Sequence, residues 1–439
     1  MAETLSPEVV VVGSGPGGAL TACLLAEAGK DVLLVEEGEA HSPEDCAPFS
    51  AAELRRKYRS GGVTAALGRP SIAYVEGCCL GGGSEVNSAL HRRPDAGLLA
   101  DWAARFDVKA FSLEELLPHF EACEADLGAR ASSGPAPAAS KKLAEGGRAL
   151  GLTVSEARHL IRPGGERQSM TRTYIPRFTQ AGGRVLTGTR VERLSSWGRN
   201  WALESSNGPR IEARTVFLAC GAVQTPALLR RSGLGRPAGE SFLLHPTVKI
   251  LAVFKEPVNP AGTEMPALQV RGPGGLSFGC SVSTAAHLAL HMAERPDDLR
   301  AVLRSWRHAA VYYAMVPGSG QGSVRPIPGF RDPLVRYQAG IEELEGLEAG
   351  RRKLSDMLLA AGAERLYPST SIMTAHLFSS CPMGEDRKSC PSDSFGRLRG
   401  HPGIHVADAS LLCGAPGVNP QGLIMAIVRR NVSAFLGKP

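Results

Sequence analysis

Two groups of residues in this 439-residue chain have the types and spacing to do chemistry. The first is Gly13-Ser-Gly15-Pro-Gly-Gly18, followed about twenty positions on by Glu36. Glycines at these intervals suit a dinucleotide. Gly13 makes a tight turn, Gly15 lets backbone N–H groups approach a pyrophosphate, and Gly18 lets the following helix pack closely. The Glu36 carboxylate is placed to accept hydrogen bonds from ribose hydroxyls, which argues against a 2′-phosphate and hence against NADP. FAD and NAD both remain open on this motif alone. The second group lies in the C-terminal part, where Thr374-Ala-His376 leads to Cys381-Pro-Met-Gly384 and, farther on, to Gly417-Val-Asn419-Pro420-Gln421. Histidine is the natural base near neutral pH, and an Asn amide can hold a substrate oxygen in place. With 11 histidines in the chain, however, a single one needs context before it is a catalyst. Asn419 has the alternative reading of a helix cap or Asn-Pro turn.

The elements that position these residues are visible in the apolar pattern. Residues 8–12 form a β-branched run suited to a strand buried on both faces, 19–28 read as a helix ending at Gly29, and 31–35 as a second strand delivering Glu36. A further buried strand at 216–219 enters a turn at Gly221, and Pro226 is expected to open the next helix. A strand over 404–410 and a turn at 417–420 lead to the last helix, whose N-terminus aims free N–H groups outward. Ser112-Leu-Glu-Glu115 is a capping box for a helix to about Leu127, and 131–140 reads as a mobile linker or lid. Between 250 and 370 short alternating strands separated by Gly and Pro suit an antiparallel sheet around a substrate cavity. His287 and His291 share one face of a helix over 285–308. No nearby acid completes a metal site, so they are expected on a solvated face.

Composition narrows the class. Hydrophobic residues make up 43% and charged residues 21%, and 49 basic against 43 acidic residues leave a net charge of +6 without any block of one sign. This pattern excludes a disordered or collagen-like chain and gives no basic, aromatic surface for nucleic acid. No apolar run reaches the length of a membrane span, and the acidic N-terminus lacks the basic region of a signal peptide. A cytoplasmic location is expected. The 10 cysteines show no CxxC spacing and read as free thiols. The 51 glycines exceed average usage by roughly twenty. They gather at 13–18, 81–83, 221–235 and 384–422, where backbone would lie against a flat cofactor.

Gly221-Ala-Val-Gln-Thr-Pro-Ala-Leu-Leu-Arg-Arg-Ser-Gly-Leu-Gly235 fits the second signature of the glucose-methanol-choline (GMC) oxidoreductases at every defined position. Residues 77–87 resemble that family's first signature. Within the family, Gly81-Gly-Gly-Ser84 and Gly417-Val-Asn-Pro420 are most similar to bacterial cholesterol oxidases, and 87–94 also to long-chain alcohol oxidases. The resemblance implies an α/β protein with a Rossmann-type FAD-binding domain (1–115, 170–250 and 370–439). The second, α+β domain would carry an antiparallel substrate sheet and a lid (116–169 and 251–369).

By matched position, the resemblance places Gly83, Asn87, Ser88 and Leu90 along the isoalloxazine. Val191 would pair with adenine through its backbone, and Cys220 and Gly221 would flank the adenosine half. Asp408 and Ala409 would hold the ribityl and pyrophosphate, and Asn419, Pro420 and Gln421 would approach the flavin pyrimidine edge. Val86 stands where some members carry the His that binds flavin covalently, so FAD would be non-covalent. His376 would be the base and Asn419 its partner in taking a hydride from a CH–OH group, with oxygen or another acceptor reoxidising the flavin. The residues Leu377-Phe-Ser-Ser380 after His376 depart from the family pattern, as does Glu85, which reads either as a solvated acid or as a charge near the flavin. The expected substrate is an apolar or moderately polar alcohol. Other outcomes on the same scaffold, such as desaturation, rearrangement or decarboxylation, stay open, as does a non-catalytic dinucleotide-binding protein.

Overall fold

The computed structural model describes residues 4–42, 45–131, 134–162, 165–261 and 264–438. The first three residues of the acidic N-terminus, and Ser132 and Ser133 of the expected linker, lie outside them.

Val9–Val12 and Val32–Val35 are buried at every position, as runs of such composition must be when both faces are covered. They sit in a five-stranded parallel sheet in the order Ile404–Val406, Thr215–Leu218, Val9–Val12, Val32–Val35, Arg184–Leu186. The carboxyl ends of four of these strands deliver Gly13, Glu36, Cys220 and Asp408 to one crevice, where ligands bind in open α/β sheets. Helix Pro16–Glu27 follows the first strand with Pro at its first position, where the missing N–H has no intrahelical partner to lose. Helix Gln421–Phe435 packs against it and against Leu113–Leu127, which opens on the predicted Ser112 and Glu115 capping box.

A larger sheet forms the other wall. Its central strand Thr247–Phe254 pairs antiparallel with Ala309–Met315 and Ala363–Pro368, and the sheet runs on to Thr153–Glu156 at one end and Thr64–Ala66 at the other. All its pairings are antiparallel except that of Ile372–Thr374 with Ile72–Tyr74. Helices Ala138–Ala149 and Ile341–Ala360 cover one face of this sheet.

Three local expectations need correction. Residues 138–140 are the first turn of a helix and not linker: Ala138-Ala-Ser-Lys-Lys-Leu-Ala favours helix, and Ser140, Leu143 and Ala144 are buried by it. The long helix Ile341–Ala360 lies within the stretch expected to alternate strands and turns; its charged exposed face hides the period in that window. The helix after Thr215–Leu218 begins at Gly221, so Pro226 is inside it. The carbonyl of Ala222, which residue 226 would have served, instead accepts the buried Ser380 hydroxyl at 2.5 Å.

Candidate active site

The crevice and the large sheet enclose a cavity of about 740 Å³. Of the residues singled out in the sequence, Gly13, Gly15, Glu36, Gly83, Asn87, Ser88, Leu90, Val191, Cys220, Gly221, His376, Asp408, Ala409, Asn419, Pro420 and Gln421 all line it. Gly18 does not. A Cβ there would stand 1.9 Å from the Gly13 carbonyl oxygen, so its role is the close seating of the helix on the turn.

The glycines divide by what they face. A Cβ on Gly17 would meet the Ala407 carbonyl oxygen at 1.9 Å and one on Gly13 the Ala219 carbonyl oxygen at 2.3 Å, so both are pressed on backbone. A Cβ on Gly15 or Gly83 would meet nothing within 4 Å. These two leave bare backbone towards the cavity, next to a helix N-terminus, which is the form of a phosphate cradle. Glu36 accepts from Ser14 N (2.9 Å), Ser14 Oγ (2.6 Å) and Gly38 N (2.8 Å), which fixes the turn and leaves acceptor capacity at the cavity. Asp408 is used more fully: it accepts from Gly221 N, Thr225 Oγ1, Ser410 N and Ser410 Oγ, and so locks two strand ends together. Asn87 donates to Gln421 Oε1 at 2.6 Å, joining the Gly81–Gly83 loop region to the start of the last helix. The residues present fit FAD on these grounds.

Glu85 is tied down rather than freely solvated. Its Oε1 accepts from Thr171 Oγ1 (2.9 Å) and Thr171 N (3.3 Å), so the half-buried carboxylate ties the glycine loop to 170–172 outside the cavity. Sequence reasoning also missed Glu37, held at about 2 where burial alone would raise it, because Arg59 and Arg190 hydrogen-bond and pair with it. Acids and arginines scattered over 37–332 give no local pattern to find.

At the other end of the cavity His376 is held by Thr374, whose hydroxyl accepts from His376 N and donates to its carbonyl, each at 3.1 Å. The two-residue ladder of Leu243–Leu244 with Leu377–Phe378 brings up His245, whose Nδ1 lies 3.1 Å from Nδ1 of His376. Nε2 of His376 lies 3.5 Å from Asn419 Nδ2. Gly417 N lies 3.3 Å from Nε2 of His245, and a hydrogen bond there puts the His245 hydrogen on Nδ1. Burial pushes His376 down to about 4, and burial with the neighbouring His376 pushes His245 well below the usual imidazole range, so both rings are neutral at pH 7. Each neutral ring carries one hydrogen, and the Nδ1 contact uses one of them. With that hydrogen on His376, its Nε2 keeps a lone pair facing Asn419; with it on His245, Nε2 of His376 is protonated. Only the first arrangement makes His376 a base, and it puts the His245 hydrogen on Nε2 in place of the Gly417 contact. His245 was missed because a lone His-Pro carries no signal without the ladder.

His287 and His291 also depart from expectation. Both line the cavity in place of a solvated face, because helix Ala285–His291 lies across the open side of the large sheet. All ten cysteines are free thiols. Among the described residues there is no group of side chains that would hold a metal ion, and no helix is long and apolar enough to cross a membrane.

Known proteins agree with this architecture. Two GMC oxidoreductase models match residues 55–247 and 282–427, and an FAD binding domain model matches 6–68. A GMC-type oxidoreductase of Sinorhizobium fredii is 37% identical over 98% of this chain and 95% of its own. A long-chain-alcohol oxidase of Arabidopsis thaliana is 26% identical over 95% of this chain and 66% of its own. Among solved structures, pyridoxine 4-oxidase from Mesorbium loti superimposes with a TM-score of 0.78 at 20% identity, covering 99% of this chain and 100% of that one. With both halves of the chain matched by one family and a relative of this identity over nearly its full length, the protein is a GMC oxidoreductase, a flavin-dependent enzyme with an FAD-binding domain.

Proposed function

We propose that the protein oxidises the CH–OH group of a small molecule, with His376 as the base and Asn419 orienting the hydroxyl. The observation that carries this reading is Nε2 of His376, 3.5 Å from the Asn419 amide in the same cavity as the Gly15 and Gly83 cradle; as a base the ring takes the tautomer with its hydrogen on Nδ1. FAD, held without a covalent link since Val86 offers no nucleophile, supplies the hydride-accepting chemistry when bound and passes electrons to oxygen or another acceptor. His376 takes the hydroxyl proton at Nε2. The resulting imidazolium donates from Nδ1 to His245, which is neutral and able to accept. The Asn419 amide holds the substrate oxygen so that its C–H bond points into the cavity. The N-terminus of helix Gln421–Phe435, which opens on the cavity, places N–H groups and a positive dipole end where negative charge develops. The free thiols suit a reducing compartment, in keeping with a cytoplasmic location.

An anaerobic screen of primary and secondary alcohols against the yellow holoenzyme tests the reading. Bleaching of the flavin with formation of the matching aldehyde or ketone is the expected result. A holoenzyme that no alcohol bleaches, or that yields a desaturated or rearranged product, contradicts it.

A further inference from the structure

The cavity extends beyond His376 along the strand Thr247–Phe254. Alternation puts Thr247 and Lys249 on one face of that strand, paired across to Met315 and Tyr313, and all four line the cavity. The Lys249 ammonium has no hydrogen-bond or ion-pair partner among the described residues. Burial, with no charge to oppose it, lowers its pKa to about 8.

Every titratable group around it leaves that charge unmatched. His287 donates from Nδ1 to Thr284 Oγ1 (2.9 Å), whose own hydrogen goes to the Phe49 carbonyl. Its Nε2 is therefore a bare acceptor, and burial together with Lys249 holds the ring at about 4. His291 donates from Nε2 to the Tyr367 carbonyl (2.8 Å) and is also pushed down by burial. Glu294, the carboxylate on this wall, is consumed by Ser369, Thr370 and Ser371, which between them direct five hydrogen bonds to it. Tyr313 accepts from Gln269 at 3.2 Å and keeps its hydroxyl hydrogen to give. A half-buried ammonium that faces a cavity without a counter-ion is poorly stabilised and suited to an anionic partner. Here it stands on the wall of a site that takes a small molecule.

We propose that Lys249 binds an oxyanion of the substrate, so that the alcohol oxidised here carries a carboxylate or phosphate at its far end. This rests on the alcohol-oxidising reading of His376. Lys249 is four residues beyond His245, at most about 14 Å of extended chain, so the two polar ends of the substrate are separated by a spacer. Val282, Leu290 and Met315 give that spacer an apolar wall. The expected apolar or moderately polar alcohol would then form the body of the substrate, with the charge at the end that meets Lys249.

The test uses the holoenzyme with decanoate and decyl phosphate as non-reacting probes, titrated calorimetrically, and ω-hydroxydecanoate against decanol as substrates. One of the two anions is expected to bind to the wild type, and the stronger names the source of the oxyanion. Binding should weaken tenfold or more in Lys249→Met, be kept in Lys249→Arg, and be lost in the wild type as pH rises through about 8 but not in Lys249→Arg. In anaerobic flavin reduction the preference for ω-hydroxydecanoate over decanol should collapse in Lys249→Met through the half-saturating concentration and not the limiting rate. Failure of both anions to bind, equal binding in the wild type and Lys249→Met, or no preference for the hydroxy acid overturns the proposal. Anion binding that follows Lys249 in an enzyme whose flavin no alcohol reduces leaves the anion site standing and overturns only the alcohol-oxidising reading.

Discussion

His376 and His245 share an Nδ1 contact of 3.1 Å, and the chemistry at this scale is a question of which ring holds the hydrogen. A base must be unprotonated, and burial gives His376 a pKa of about 4. The rate of flavin reduction should therefore rise through about pH 4 and stay level to neutrality, as rapid-mixing measurements across pH will show. Stability has the same sign: the unfolded chain binds protons at these two histidines near pH 6.5 and the folded one only lower, so folding is weakened as pH falls below 6.5. Removing the acceptor for His376 Nδ1 tests the pair. His245→Ala should lower the limiting rate about tenfold, the loss of one hydrogen bond to a charged group, and His245→Gln, whose amide oxygen accepts, should recover part of it. His376 was legible from its sequence block. His245 was not, because its partner is 131 residues away and only the strand ladder between them makes the pair.

The elements repeat this division between what is local and what is not. The strand, glycine turn, helix, strand and acid at 9–36 are consecutive, so the Gly15 side of the cradle is written in one stretch, and Gly83 joins it from a separate loop. The same holds for the capping box at Ser112. Helix Gly221–Arg231 shows the opposite case. Its Pro226 suggested a start, yet the helix runs through it because Ser380, from another segment, hydrogen-bonds the carbonyl that Pro226 leaves free. Ser380→Ala would strand that buried carbonyl and should cost about 1–3 kcal/mol, read as a lower urea midpoint with unchanged slope. An unchanged midpoint would show that the proline needs no such compensation.

Across the whole molecule, the surplus of glycine resolves into two populations with different consequences. Gly17 is where helix Pro16–Glu27 meets the end of strand Ile404–Val406, pieces from opposite ends of the chain; Gly15 faces the open cradle. Gly17→Ala should destabilise the FAD-free protein by about 1–3 kcal/mol through overpacking. Gly15→Ala should leave its stability unchanged and weaken FAD binding, seen by comparing thermal midpoints with and without added FAD. The large sheet supplies the other wall, and His287 and His291 show how cavity-lining residues came to be read as surface: their periodicity was visible, but the covering sheet was not. In the proposed function the two walls of the cavity meet at a base, His376. The most direct test is single-turnover anaerobic flavin reduction in His376→Ala, with the best alcohol from the screen. The variant should fold and retain yellow FAD while its reduction rate falls by about 10²–10⁴-fold. A variant that reduces its flavin at the wild-type rate would contradict the assignment of His376 as the base.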